Sequence, residues 1–152
     1  YAARMGFRTV AISRGADKAA LARELGAHEY IDTAVTGAAE GLQKLGGADL
    51  VLATAPSTAE RGVAIGGRNR RGTLHLEEPA FEPMKVSAMG LLSGKTIAGW
   101  PSGSAIDSED TMAFSALTNV RPRVETLPLE RAEEAFASMM EGRARFRAVL
   151  VP

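Results

Sequence analysis

Four short apolar runs punctuate the first two thirds of the chain, each closing in small or turn-forming residues. They are Phe7 to Ser13 into Arg14-Gly15, Ala48 to Ala53 into Thr54-Ala55-Pro56, Thr73 to Leu76 into Glu77-Glu78-Pro79, and Thr96 to Trp100 into Pro101-Ser102-Gly103. Helix-like stretches separate most of them. Strands alternating with helices build a parallel sheet, and open parallel sheets bind ligands outside the carboxyl ends of their strands. The four endings therefore outline one candidate crevice.

The first run, dense in strand formers and mostly apolar, predicts a strand covered on both faces. Tyr1 to Gly6 reads as the last turns of a helix closed by glycine. Asp17 is placed to cap a helix over Lys18 to Leu25, stopped by Gly26. His28 to Asp32 predicts a second strand, Thr36 to Leu45 a short helix, and Ala48 to Ala53 a further buried strand. Ser57 opens a helix to about Ile65, and a basic turn from Gly66 to Gly72 leads into Thr73 to Leu76. That turn is either a phosphate contact or, as charge runs usually are, a solvated face. Met84 to Ser93 returns the chain to the strand Thr96 to Gly99, and Ser108 with Glu109-Asp110 opens a helix over Thr111 to Leu117. Beyond Pro122 the rhythm changes to a strand (Val124 to Leu127), an amphipathic helix (Glu130 to Glu141) and a final strand (Phe146 to Val151). The stripe Ala132, Ala135, Phe136 and Met139 has the spacing of a core face.

Composition narrows the function classes. The 152 residues carry 18 basic and 18 acidic side chains, so no net field steers the chain toward nucleic acid or an anionic membrane surface. There is no cysteine, and the two histidines, His28 and His75, are far apart, which predicts no metal site in this chain and structural roles for both imidazoles. No apolar stretch approaches the roughly 20 residues of a membrane span. A reducing cytoplasm suits this composition.

A doubly wound nucleotide-binding sheet normally grips phosphate in its first strand-to-helix turn with a G-x-G-x-x-G loop. None occurs here, and Gly62 to Gly67, which follows a helical pattern, reads as a turn. The expectation is an α/β, Rossmann-type doubly wound parallel sheet that lacks its first strand and glycine loop, the chain beginning inside the helix such a loop opens.

The blocks Tyr1 to Gly15 (YAARMGFRTVAISRG), Asp17 to Asp32, Ala48 to Pro56, Gly99 to Asp110, Val120 to Leu129 and Ala144 to Val151 resemble, in order and spacing, the zinc-type medium-chain alcohol dehydrogenases, in particular the bacterial branch similar to cinnamyl alcohol dehydrogenases. The resemblance covers essentially the whole chain. It implies a partial dinucleotide-binding domain over residues 1–119 and, over 120–152, a return segment toward a catalytic domain that holds the zinc and its ligands elsewhere. It also implies NADP or NAD as coenzyme, a small alcohol or aldehyde as substrate in the parent enzyme, and a homo-oligomer paired through a sheet edge near Thr96 to Trp100.

Onto this sequence the resemblance maps its site unevenly. Ser13 and Arg14 with Lys18 stand where a small residue followed by a cation accommodates a 2′-phosphate, favouring NADP over NAD; otherwise Arg14 decorates a loop. Thr54, Ala55 and Pro56 pass under the adenine side or form a bare turn. Leu76 ends the strand beside the nicotinamide, although Glu77-Glu78 replace the glycine expected there. Trp100, Pro101 and Ser102 line the nicotinamide pocket or the subunit seam, and Arg147 reaches the pyrophosphate or is a surface charge. The leading function is the NAD(P)-binding portion of a zinc-dependent alcohol dehydrogenase, inactive alone. The alternatives are a non-catalytic assembly module and a fragment of a zinc-free quinone oxidoreductase relative.

Overall fold

The computed structural model describes residues 1–54, 65–78 and 82–152. Two compact units divide between Ser108 and Glu109. The first opens on a helical turn in which Gly6 N–H donates to Ala3 O and Phe7 N–H to Ala2 O, with Gly6 at φ 87°. This is the glycine-closed helix end that the first six residues predict.

Two parallel sheets follow. Strand β1 (Val10–Ser13) pairs with β2 (Glu29–Asp32), Ser13 opposite Asp32. Helix α1 (Ala19–Glu24) connects them, and helix α2 (Ala38–Lys44) leads onward to β3 (Ala48–Ala53). Strands β3, β4 (Arg68–Leu76) and β5 (Thr96–Gly99) form a parallel trio in that order, with a short helix α3 (Ala88–Leu91) before β5. Among the described residues no ladder joins β1 to β3. Helix α4 (Ala105–Thr118) crosses the division between the units. The second unit pairs β6 (Val124–Pro128) with β7 (Arg147–Val151) in parallel, linked through helix α5 (Ala132–Met140).

Side-chain size sets the packing. Leu74 is fully buried among Val51, Ala53, Leu76, Met84, Val86 and Ile97 on one face of the trio. The opposite face stays open, with Leu50 and Leu52 about half exposed. The expectation of strands buried on both sides is thus corrected: all of β1 is half-buried and β3 is covered on one face only. On β2, Ile31 packs under α2, where a Cβ at Gly41 would come within 2.8 Å of Ile31 Cγ2. Only glycine allows that approach.

Three further expectations are corrected. The basic segment is no loop: Arg68–Leu76 is strand, bulged so that β3 advances from Ala48 to Leu50 while β4 advances from Arg68 to Thr73. Arg68 is 1% exposed and donates to the carbonyls of Gly72 and Thr96, and burial lowers its pKa. The bulge occupies the amino-terminal part of β4, away from the carboxyl tips, which removes the phosphate reading. Helix α4 begins before Ser108, because Asp107 Oδ2 accepts from both the N–H and the hydroxyl of Ser104, at 2.7 Å each. Asp17 makes no side-chain cap; it lies inside a 3₁₀ turn (Ala16–Lys18) that enters α1. The helix expected from Ser57 lies outside the described residues.

The burial of Leu74 predicts that Leu74→Ala lowers unfolding free energy by about 2–5 kcal/mol in a urea titration. Gly41→Ala, normally favourable inside a helix, should instead destabilise, because the added methyl meets Ile31.

Candidate functional site

Parallel pairing gathers the strand tips within each sheet. In the trio, Ala53 stands beside Leu76 and Leu76 beside Gly99. The ladder continues one step further, with Glu77 N–H donating to Ala53 O and Trp100 N–H to Leu76 O, both at 3.2 Å. Thr54, Leu76 and Trp100 therefore come to one edge, Trp100 at 63% exposure. Pro101 and Ser102 follow in the exposed segment that leads to α4. Ala55 and Pro56 lie outside the described residues.

At the tip of β1 the chain turns sharply. Gly15 sits at φ 99°, a conformation that glycine tolerates and side chains resist, and a Cβ there would come within 2.4 Å of Asp17 Oδ1. The turn is held from β2. Gly15 N–H donates to Asp32 Oδ1 at 2.8 Å, Tyr30 Oη donates to Gly15 O at 2.6 Å, and Thr33 N–H donates to Ser13 O at 2.9 Å. Lys18 Nζ reaches back to Arg14 O at 2.5 Å, so both cations are brought to this turn with Arg14 exposed.

Asp32 Oδ1 also accepts from Ala34 N–H at 2.9 Å. These backbone donors, Ala34 first and then Gly15, hold the Asp32 carboxyl below the usual carboxylate range, helped less strongly by the charges of Lys18 and Arg14. In the sequence, Tyr30 and Asp32 stand out only as residues of the strand His28 to Asp32. The available signal was Asp32 closing a strand directly before Thr33-Ala34, a position that favours a side chain accepting from nearby backbone N–H groups.

Arg147 opens β7 opposite Val124, its side chain exposed, in the second unit. That unit also holds an open depression of about 370 Å³ with Arg131, Glu134, Ser138 and Arg143 in its wall, lined by none of the predicted site residues. Its arginines are engaged, Arg131 with Glu134 and Arg143 with Glu141. His28 Nδ1 accepts from Thr9 N–H at 3.0 Å, and His75 Nδ1 lies 2.8 Å from Glu77 Oε1. Among the described residues no three of His, Cys, Asp and Glu converge as metal ligands. The donor set for a zinc ion does not fit these residues.

With this geometry, residues 1–115 match the zinc-binding dehydrogenase family. The chain belongs to that family. Two fungal members are similar over 99% of this chain: an alcohol dehydrogenase, patD, of Penicillium expansum at 44% identity over 150 residues, and an alcohol dehydrogenase, notN, of Aspergillus sp. (strain MF297-2) at 45% over 159 residues. The chain spans 44% of the length of each. Among solved structures, the alcohol dehydrogenase of Aeropyrum pernix superposes with a TM-score of 0.83 over 95% of this chain and 43% of its own, at 19% identity. That likeness shows the Rossmann-like fold of parallel strands in open sheets. Among the described residues no helix is long and apolar enough to cross a membrane.

Because Asp32 is lowered in the folded state, its contribution to stability is complete above the ordinary aspartate pKa and is lost as pH falls through the lower folded value. The Gly15 amide resonance should accordingly hold steady across the ordinary aspartate range and move only below it in an NMR titration. A midpoint at the ordinary value would contradict the bonding described.

Proposed function

We propose that this chain supplies the coenzyme-binding portion of a zinc-dependent alcohol dehydrogenase that prefers NADP to NAD and acts on a small alcohol or aldehyde in the cytoplasm. Residues 1–119 form the dinucleotide-binding part and residues 120–152 the return segment toward a catalytic domain. The observation that carries this reading is the turn at the tip of β1, where the small Ser13 is followed by an exposed Arg14 and Lys18 Nζ reaches back to the Arg14 carbonyl. A guanidinium suits a phosphate, whereas an acidic residue at this place suits the free ribose hydroxyls. Membership of the zinc-binding dehydrogenase family, and relatives named alcohol dehydrogenases, support the reaction class.

A zinc ion, held by residues outside this chain, would supply Lewis-acid polarisation of an alcohol or aldehyde oxygen, and a nicotinamide coenzyme would supply the hydride acceptor or donor. This chain's residues bind and orient. Arg14 and Lys18 take the 2′-phosphate, Thr54, Ala55 and Pro56 pass beneath the adenine side, and Leu76, Trp100, Pro101 and Ser102 border the nicotinamide end. Arg147 faces the pyrophosphate. The chain alone transfers no hydride.

A second reading, assembly, is favoured by the open edges. Among the described residues, β5 is paired on one side only, as are β1 and β3. Parallel sheets are ordinarily covered, and unpaired edges recruit further strands. A homo-oligomer through the β5 edge is the form this takes, and a strict monomer by light scattering at high concentration counts against it.

Arg14→Gln should weaken NADPH binding by about tenfold while leaving NADH within about twofold, followed through the fluorescence of Trp100. Equal loss for both coenzymes would overturn the NADP preference. Zinc-dependent alcohol oxidation by the 152-residue chain would overturn the division of labour.

A further inference from the structure

The turn that carries Arg14 is built largely from the neighbouring strand. Register places Tyr30 beside Ala11 and Asp32 beside Ser13, so both β2 side chains stand on the same face as two small β1 residues. With so little bulk in the way, Tyr30 reaches the Gly15 carbonyl and Asp32 the Gly15 N–H, at 2.6 and 2.8 Å. Both polar backbone atoms of the residue after Arg14 are thereby clamped by side chains of β2. The same Asp32 oxygen ties down Ala34 N–H, so the clamp is anchored at its own base.

We infer that Asp32 is a positioning residue for coenzyme discrimination: by fixing Gly15 it aims Arg14 at the 2′-phosphate of NADP, with the Tyr30 hydroxyl as the second jaw. The inference rests on the proposed role of Arg14 in holding that phosphate. Simple electrostatics argues the other way. Asp32 is an anion close to the two cations of the turn, and removing it should strengthen attraction for a phosphate dianion. Positioning demands the reverse, because a guanidinium released from its turn must be ordered again each time the phosphate binds. The two accounts thus differ in sign.

Adenosine 2′,5′-bisphosphate and adenosine 5′-monophosphate, which differ only in the 2′-phosphate, separate them. Their dissociation constants are to be measured by calorimetry on the unmodified protein and on Arg14→Gln, Asp32→Ala, Asp32→Asn and Tyr30→Phe. Asp32→Ala should weaken the bisphosphate by about fivefold to tenfold with the monophosphate within about twofold. Asp32→Asn, which keeps the accepting oxygen and loses the charge, should restore most of that affinity. Unchanged or tighter bisphosphate binding by Asp32→Ala, alongside a loss in Arg14→Gln, overturns the positioning role and leaves the Arg14 reading intact. No loss in Arg14→Gln overturns the Arg14 reading and the inference with it. Should Asp32→Ala fail to fold, Tyr30→Phe decides: a selective loss for the bisphosphate supports the clamp, and equal affinities to the unmodified protein refute it.

Discussion

Parallel pairing of β1 with β2, in the register that sets Ser13 opposite Asp32, is the contact on which the candidate site depends. In a parallel ladder both strands finish at the same end, so the residues that leave β1 and those that leave β2 emerge together. A slip of one position would turn Tyr30 and Asp32 to the other face, and neither would reach Gly15. Register is thus what converts two ordinary strand-end residues into the support for a cationic turn. The glycine completes it, because a side chain at that φ is strained and would displace the Asp17 carboxylate.

The trio of β3, β4 and β5 follows the same logic with a different filling. Leu74 fixes one face by complete burial, and the short ladders to either side bring Thr54, Leu76 and Trp100 to a common edge. Its other face, with Leu50 and Leu52 half exposed, is unusual for parallel strands, which ordinarily have both faces covered. Among the described residues, β3 and β5 each pair on one side, and the leucines of that face are half exposed.

The strand runs were legible in the residues, as were the glycine stops at Gly6, Gly26 and Gly46 and the amphipathic helix over Ala132–Met140. Arg14 and Lys18 could be singled out because a cation after a small residue at a strand tip has a known chemical use. Helix α4 starts before Ser108, the cap expected from the sequence, because Asp107 accepts from Ser104 instead. The basic run before Thr73 carries the charge of a solvated face or a phosphate contact. Its first arginine is buried by a bulge that no local pattern announces.

Taken alone, the sequence determined the order of strands and helices, the parallel character of the sheets, and the family, because periodicity, turn residues and block spacing are properties of near neighbours. Tertiary structure decided which faces stay open, that Arg68 is interior, and that Asp32 supports a turn seventeen positions earlier in the chain. Those outcomes depend on register between segments distant in sequence, which the residues of either segment do not specify by themselves.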